Sequence, residues 1–365
     1  MSSRVFNFGP GPAMLPTAVM ERAQRELLDY RGMGVSVVEL SHRSPEFMEI
    51  IERCETLFRE LSGVPDNFKV FYMHGGARMQ FAAIPMNFMP RVAKPKALYF
   101  ETGNFAKLAR VEAERYGEII RVVDGESAGY KSIPQFIDPA TIDQDAAYAH
   151  LTANNTIYGT RWQQFPDTGK VPLVVDATSE LLSRKMDYNQ FGLVYAGLQK
   201  NLGPSGVAMM VCREDLLGHA MPHTPTMLDF KVSADESSRA NTTNTFAIYL
   251  LMCMLEWLDE QGGVAAIEKI NEQKAKILYD TLDNSAYYSA VAHPDSRSTM
   301  NVSFHLPNNN ELAEKFIAEA LQQNMYALKG HPVVGGLRAS IYNAMPIEGV
   351  QCLADFMKEF ERKNG

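Results

Sequence analysis

The sequence predicts an α/β protein: a large domain with a mostly parallel, doubly wound sheet, and a smaller C-terminal α+β domain. Two observations carry this prediction. Short aliphatic runs alternate with helix-like or loop stretches over residues 70–211, and a different pattern, two strands each followed by a helix, follows residue 300. Buried parallel strands are typically unbroken apolar runs, and their alternation with helices is typical of sheets covered on both faces.

The elements follow in order along the chain. Ser44 caps a helix that begins at Pro45 and that Gly63 ends. Strands are predicted at residues 70–73, 97–100, 119–123, 147–152, 171–175, 193–196 and 207–211. They are followed by a helix at 246–260, glycines at 262 and 263, a helix at 264–282, a strand at 301–305, a helix at 311–323, a strand at 337–342 and a helix at 346–362.

This order predicts two domains. We place a large domain at residues 16–262 and a small one at residues 263–365, because the glycines at 262 and 263 interrupt the helical pattern there. Residues 1–15 are expected to pack at the domain boundary or at a dimer interface.

Composition and charge exclude several classes of protein. The 365 residues are 46% hydrophobic and 21% charged, with a net charge of −8, which argues against a protein that holds a nucleic-acid backbone. No apolar stretch approaches the roughly 18 residues of a membrane span, so we expect a cytoplasmic protein without a membrane partner. The cysteines are scattered without a Cys-x-x-Cys motif, so we expect buried thiols and neither disulfide nor metal site; they are Cys54, Cys212, Cys253 and Cys352.

Two charged residues follow neighbouring apolar runs. Asp176 comes directly after residues 171–175, and Lys200 lies just beyond residues 193–196. Ligands in open α/β sheets collect at the carboxyl ends of the strands, so an acid and an amine there can face one ligand. Lysine condenses with aldehydes and aspartate can hold a protonated pyridine nitrogen, the two functions that pyridoxal phosphate requires of a protein. For either residue alone, a solvated loop charge is the commoner explanation.

A glycine-containing turn supplies a candidate phosphate site. Gly75 and Gly76 follow the predicted strand 70–73 and precede an apolar helical segment, with Arg78 in its first turn. Glycines let the backbone approach an anion, and the start of a helix offers unpaired N–H groups. A tight turn that uses its glycines for steric reasons explains the pattern equally well.

Arginines supply candidate carboxylate sites. Arg338 lies on a predicted apolar strand, where a buried charge requires an anionic partner: either a substrate carboxylate or the acid of a structural ion pair. His42 and Arg43 lie just before the helix start at Pro45, a position that favours anions, although a solvated surface pair is the commoner explanation.

Five segments together resemble the phosphoserine aminotransferase family of the class V aminotransferases. They are residues 6–16 (FNFGPGPAMLP), 39–43 (ELSHR), 74–83 (HGGARMQFAA), 195–204 (YAGLQKNLGP) and 338–344 (RASIYNA). The resemblance spans nearly the whole chain in the family's order. It implies the fold type I architecture of pyridoxal-phosphate-dependent transferases, and a homodimer whose active sites are shared between subunits.

The resemblance also implies roles for particular residues. Lys200 would bind the cofactor covalently and move the substrate proton, and Asp176 would hold the pyridine nitrogen. The other implied cofactor contacts are Ala77, Arg78, Phe105, Thr156 and Gln199, with Asn241 and Thr242 from the neighbouring subunit. The implied substrate contacts are His42, Arg43, His331 and Arg338.

Two positions depart from the family pattern. Phe105 stands where the family usually has a tryptophan on the cofactor ring, and a smaller aromatic face still stacks. Pro332 stands where many members have an arginine that binds the substrate phosphate. Loss of such a charge-assisted hydrogen bond, about 1.5 to 3 kcal/mol, weakens binding roughly tenfold to a hundredfold unless another cation replaces it.

The expected activity is transfer of the amino group of glutamate to 3-phosphohydroxypyruvate, giving phosphoserine for serine synthesis. By resemblance, some bacterial members also accept a related four-carbon phosphorylated keto acid on the way to pyridoxine. Two alternatives stay open: another class V aminotransferase with a non-phosphorylated acceptor such as glyoxylate, and a binding protein that keeps the fold without turnover.

Overall fold

A computed structural model describes residues 4–307 and 309–365. Its helices are α1 (Thr17–Glu26), α2 (Pro45–Ser62), α3 (Gly76–Phe88), α4 (Asn104–Ala113), α5 (Phe230–Asp235), α6 (Thr245–Glu260), α7 (Gly263–Asp283), α8 (Asn309–Gln322) and α9 (Ile347–Asn364). Its strands are β1 (Phe6–Asn7), β2 (Phe68–His74), β3 (Lys96–Glu101), β4 (Glu118–Asp124), β5 (Ala149–Thr152), β6 (Asn154–Asn155), β7 (Thr160–Arg161), β8 (Leu173–Asp176), β9 (Leu193–Gly197), β10 (Val207–Arg213), β11 (Ser289–Ala290), β12 (Asn301–His305), β13 (Met325–Tyr326) and β14 (Leu337–Ser340).

All seven strands predicted between residues 70 and 211 belong to one sheet. Its order is β2-β10-β9-β8-β5-β3-β4, and every neighbouring pair is parallel except the two that involve β10. The prediction of a mostly parallel sheet is therefore confirmed. Parallel strands place their carboxyl ends at one edge, which brings Asp176, the last residue of β8, beside the turn that follows β9.

Helices cover both faces of this sheet. On one face α1, α2 and α6 pack against alternate strand residues such as Val175 and Val194. On the other, α3, α4 and α5 pack against the intervening residues, such as Val174 and Tyr195. This two-sided covering is the doubly wound arrangement that the alternation of strands and helices predicts.

The helix α2 shows how the sequence sets the limits of an element. The hydroxyl of Ser44 accepts a hydrogen bond from the backbone N–H of Phe47, and Pro45 occupies the first helical position. Gly63 ends the helix in the left-handed conformation, with φ of 67°. The predicted bounds are confirmed, whereas α1, α4 and α5 were not predicted. The strand predicted to reach residue 342 ends at Ser340.

A smaller antiparallel sheet, of order β11-β12-β14, lies in the C-terminal part of the chain. Its core contains residues of α7, α8 and α9, such as Phe316 of α8, together with Phe304 of β12. The N-terminal segment reaches this unit, because β1 pairs with β13 and Phe8 joins the same core. Residues 1–3 of that segment lie outside the described residues.

The helix α7 packs against both cores. Val264 and Ile267, in its first turns, lie in the large core, and Ala275 and Leu278 lie in the small one. A helix shared in this way fixes the two units to each other. The division at residues 262 and 263 remains our proposal for the domain boundary.

One expectation about the thiols is wrong. Cys54, Cys212 and Cys253 are buried, but Cys352 is exposed, because it lies on the solvent face of α9, between the buried Val350 and Leu353. No helix in the described ranges combines the length and the apolar character needed to cross a bilayer.

Candidate active site

A cavity of about 260 Å³ lies at the carboxyl ends of β5, β8 and β9. Nine of the residues predicted for the site line it: Ala77, Arg78, Phe105, Thr156, Asp176, Gln199, Lys200, His331 and Arg338. The sheet, the first turns of α3 and α4, and the strand β14 of the small unit all contribute. The structure therefore brings Asp176, Lys200 and the helix start that follows the glycine turn together around one cavity.

Lys200 is a partly buried amine at the centre of the cavity. Burial lowers its pKa to about 8, an effect that the carboxylate of Asp176 opposes and the guanidinium of Arg338 reinforces. Its Nζ lies 5.5 Å from the centroid of the Phe105 ring, and no residue in the described part of the chain accepts a hydrogen bond from it. Lowering the pKa raises the fraction of neutral, nucleophilic amine near neutral pH.

Asp176 is 4% exposed, and its hydrogen bonds all reach one oxygen. Oδ1 accepts from the backbone N–H of Thr178 at 3.0 Å and from its hydroxyl at 2.5 Å. Burial raises the pKa of this carboxyl, and the two bonds from Thr178 and the charge of Lys200 lower it. The other oxygen, Oδ2, is left for a ligand.

The first turn of α3 offers an anion site. Gly75, the residue before the helix, is in the left-handed conformation with φ of 83° and provides no side-chain cap, so the first N–H groups of the helix have no acceptor in the ranges that the structure describes. Arg78 is exposed and forms no ion pair with any carboxylate of the described residues. The guanidinium lies over the ring of Phe81, 5.8 Å from its centroid. Backbone donors and a guanidinium that pairs with no described carboxylate suit a phosphate group.

Arg338 is 6% exposed on β14, and the structure contains no acid paired with it in the described ranges. Its Nη1 donates to the carbonyl oxygen of Thr156 at 3.3 Å, and its Nε is buried without a partner. Burial lowers the pKa of the guanidinium. Among the described residues the structure therefore contradicts the alternative of a structural ion pair, and a buried guanidinium without an anionic partner is suited to bind a carboxylate.

His331 contributes an imidazole at the side of the cavity nearest the small unit. Its Nδ1 accepts the backbone N–H of Val333 at 3.2 Å, which leaves Nε2 for other contacts. Burial and the neighbouring charge of Arg338 lower the pKa of the ring. A neutral imidazole beside an arginine is suited to donate to a substrate oxygen.

Four predicted site residues do not line the cavity of this chain. His42 and Arg43 lie in the turn before α2, and Thr242 is exposed. Asn241 is hydrogen-bonded to the ring of His74, with Oδ1 3.2 Å from Nε2. Asn241 and Thr242 were assigned to the neighbouring subunit, and their roles stay predictions.

Several residues that line the cavity were not predicted: Pro10, Gly11, Phe81, Thr152, Asn154, Ile157, Thr178 and Ser179. Thr152 and Thr178 are buried and polar. Thr152 could have been found from the sequence, because it ends the predicted strand 147–152 on the edge where ligands collect. Thr178 follows Asp176 by two residues, and no sequence pattern distinguishes it from a turn residue.

Comparison with known proteins agrees with this geometry. The family model described as aminotransferase class V matches residues 5–353. The phosphoserine aminotransferase of Lysinibacillus sphaericus is 45% identical over 365 residues, covering 100% of both chains. The chain belongs to the phosphoserine aminotransferase family of class V aminotransferases.

Solved structures of the family have the same fold. The phosphoserine aminotransferase from Bacillus circulans subsp. alkalophilus is 42% identical, with a TM-score of 0.95 over 100% of both chains. A PLP-bound phosphoserine aminotransferase from Trichomonas vaginalis is 35% identical, with a TM-score of 0.90 over 97% of this chain and 100% of that one. The fold is that of class V aminotransferases, and the protein is an aminotransferase.

Proposed function

We propose that the cavity holds pyridoxal phosphate and that the protein transfers the amino group of glutamate to 3-phosphohydroxypyruvate. The observation that carries the proposal is the shared cavity of Lys200 and Asp176, with the unpaired N–H groups of α3 at its rim. Full-length similarity to phosphoserine aminotransferases supports the choice of substrates.

The residues present fit this cofactor. Three buried polar atoms around the cavity have no partner in the described part of the protein: Thr152 Oγ1, Gln199 Oε1 and Arg338 Nε. Buried polar groups are ordinarily hydrogen-bonded, so their convergence on one cavity indicates a polar ligand. A phosphate would meet the first turn of α3, the ring would lie beside Phe105, and its nitrogen would meet Asp176.

The cofactor, when bound, supplies an electron sink for the substrate's α-carbon. Lys200 supplies the amine that holds it and the base that moves a proton at that carbon. Asp176 keeps a positive charge on the ring nitrogen, because its buried carboxylate favours the protonated form. Arg338 orients the substrate by its α-carboxylate through two parallel hydrogen bonds, which fixes the bond to be broken relative to Lys200.

We further propose a homodimer in which the partner subunit supplies its copies of Asn241 and Thr242 to the cofactor phosphate. Arg78 is exposed at the rim and has no anionic partner within residues 4–307 and 309–365, which supports a rim completed by other groups. His42, Arg43 and His331 are proposed for the distal phosphate of phosphoserine or the side-chain carboxylate of glutamate. We include the related four-carbon phosphorylated acceptor as a second substrate of the same site.

A half-reaction test checks the proposal. Phosphoserine, glutamate or alanine is added separately to the purified protein, and the visible spectrum of the cofactor is recorded. Phosphoserine and glutamate should each convert the cofactor to its aminated form, whereas alanine should not. Conversion by glutamate but not by phosphoserine would contradict the acceptor and leave the transamination chemistry intact. A protein without visible absorbance would contradict the function as a whole.

Pro332 favours a second candidate, an aminotransferase with a non-phosphorylated acceptor such as glyoxylate. Pro332 is exposed in the turn between His331 and Gly335 and brings no charge to it. Replacing it by arginine should lower the KM for phosphoserine by about threefold to tenfold, the value of one partly exposed ion pair. A wild-type protein that transfers nitrogen to glyoxylate faster than to 3-phosphohydroxypyruvate would establish the second candidate.

A further inference from the structure

The bonds between Thr178 and Asp176 fix the carboxylate on one side only. The backbone N–H and the hydroxyl of Thr178 both reach Oδ1, at 3.0 and 2.5 Å. No donor among the described residues reaches Oδ2. Hydrogen bonds to an ionised acceptor are shorter and roughly twice as strong as neutral ones, so they hold the plane of the carboxylate firmly.

A third group sets the direction of the hydroxyl proton. The backbone N–H of Gly197 donates to Thr178 Oγ1 at 3.1 Å. A hydroxyl has only one proton to give, and because Gly197 donates to this oxygen, the proton of Thr178 is given to Asp176. Gly197 therefore donates a hydrogen bond to Thr178, and Thr178 in turn donates one to Asp176.

Gly197 connects these hydrogen bonds to the rest of the site. It is the last residue of β9, the strand that leads into Lys200. A Cβ at this position would lie 3.2 Å from the backbone nitrogen of Ala77 and would displace the end of the Gln199 side chain, so β9 approaches the start of α3 closely at this glycine. The strand that presents the amine therefore also orients the acid.

We propose that Thr178 is a positioning residue: its hydroxyl, oriented by Gly197, holds the Asp176 carboxylate so that Oδ2 faces the cofactor nitrogen. The inference rests on the proposed function, because it concerns the same cofactor. It adds a residue to which neither the sequence pattern nor the family resemblance gave a role.

The hydroxyl of Thr178 also lowers the pKa of the Asp176 carboxyl. The titratable and charged groups nearest to it are Tyr195 on β9 and Lys200, whose pKa Arg338 also affects; the ring of His150 on β5 is hydrogen-bonded to the hydroxyl of Tyr195. Burial lowers the pKa of His150 to about 3, so that ring is neutral near pH 7. Without the hydroxyl, burial raises the pKa of the carboxyl further. A protonated Asp176 no longer favours the charged ring nitrogen.

The test measures cofactor affinity, not turnover. Apo forms of wild type, Thr178→Val, Thr178→Ser and Thr168→Val are titrated with pyridoxal phosphate by fluorescence. Thr168 is the matched control: it is buried, donates its hydroxyl to the carbonyl oxygen of Val171 at 2.7 Å, and lies outside the cavity. Thr178→Val should bind about tenfold to a hundredfold more weakly near pH 7, the value of a hydrogen bond to a charged group.

The pH dependence distinguishes positioning from loss of packing. The affinity lost in Thr178→Val, measured at pH 6 and at pH 9, should grow as the pH is lowered, because burial raises the pKa of this carboxyl and it loses its charge as the pH falls. Thr178→Ser should remain within about threefold of wild type, since it keeps the hydroxyl. Thr168→Val should match wild type throughout.

A folded Thr178→Val protein with wild-type affinity at both pH values would overturn the inference. If that variant does not fold, Thr178→Ala keeps the backbone bond to Asp176 and lacks the hydroxyl, and wild-type affinity in it would count equally against us. A wild-type protein that binds no pyridoxal phosphate at all would instead remove the proposed function, and the inference with it.

Discussion

Two lysines with lowered pKa values, one partly buried and one fully buried, occupy different regions of the molecule. Lys200 lies in the cavity, where its amine has no hydrogen-bond acceptor in the described part of the chain and faces Asp176. Lys274, on α7, is 0% exposed, and its Nζ donates to the carbonyl oxygens of Ile341, Tyr342 and Met345 at 3.0, 2.7 and 3.1 Å. Burial lowers the pKa of both, to about 8 for Lys200 and about 7 for Lys274.

The comparison shows that a lowered pKa does not by itself identify a reactive amine. All three protons of the Lys274 ammonium are donated to carbonyls, so this amine has a structural role and no access for a ligand. The amine of Lys200 finds no hydrogen-bond acceptor among the described residues and opens onto a cavity that also holds an acid and a helix N-terminus. Perturbed groups mark functional sites only when the geometry around them leaves room for chemistry.

The Lys274 region nevertheless supports the cavity. The segment that its amine holds follows β14, which carries Arg338. Within it, the backbone N–H of Asn343 donates to Oδ1 of Asn201, the residue after Lys200, at 3.1 Å. The junction thus fixes β14, the strand that carries Arg338, relative to the turn that carries Lys200.

The largest expected effect tests whether Lys200 is the reactive lysine of the two. Replacing Lys200 by alanine removes both the covalent anchor and the base, so turnover should fall by about 10⁴-fold or more and the visible cofactor band should disappear. Lys269→Ala, which removes an exposed lysine of α7, is the control and should keep both. Turnover in Lys200→Ala within tenfold of wild type would contradict the assignment.

The second effect tests how much each lysine contributes to the free energy of unfolding. Lys274→Met leaves three buried carbonyls without their donor, and the free energy of unfolding should fall by about 3 kcal/mol. Lys200→Met removes a partly buried cation that has no hydrogen-bond partner, so the apoprotein should change by less than about 1 kcal/mol. Urea unfolding of the two apo variants measures both values. Equal losses would show that the two lysines do not differ as we describe.

Arg338 belongs to both regions: it lines the cavity with Lys200, and the segment that Lys274 holds follows its strand. Lysine keeps the charge of arginine but cannot form two parallel bonds to a carboxylate. Arg338→Lys should therefore raise the KM for glutamate about tenfold to a hundredfold and affect the unfolding free energy little. Steady-state kinetics at saturating acceptor measure the change, and an unaltered KM would exclude Arg338 as the carboxylate site.

The smallest effect concerns pH. The folded-state pKa of Lys200 is lowered to about 8, so the fraction of neutral amine in the apoprotein increases as the pH rises through that value. The rate at which apoprotein captures pyridoxal phosphate should increase with the same midpoint. Stopped-flow absorbance at a series of pH values measures it. A midpoint near the ordinary lysine value of about 10.4 would show that burial does not tune this amine.

Much of the fold could be predicted from the sequence, because local signals agreed with the tertiary structure. The strand Asn301–His305 and the helix after Pro45 have the predicted limits, since each has a clear apolar pattern and clear end signals. The helices α1, α4 and α5 were missed because they are short, with 10, 10 and 6 residues, and show few turns of apolar periodicity. A missing cap is not the reason, since α7 and α9 were predicted although Gly262 and Pro346 make no side-chain cap.

The candidate site, like the fold, could be predicted from the sequence only in part. Asp176, Lys200 and the glycine turn could be predicted because ligand sites in this fold class lie at strand ends. Thr178 could not, since its role depends on the N–H of Gly197, which approaches only when β8 and β9 are side by side. The structural role of Lys274 was equally hidden, because its carbonyl partners lie 67 to 71 residues away.

The claim on which this account depends is that Lys200 and Asp176 hold one cofactor between them. The most direct measurement is borohydride reduction of the holoprotein followed by peptide mapping of the fixed cofactor. We predict that the label lies on Lys200 in wild type and is absent from Lys200→Ala. Label on another lysine, or none on a protein that absorbs visible light, would contradict the account.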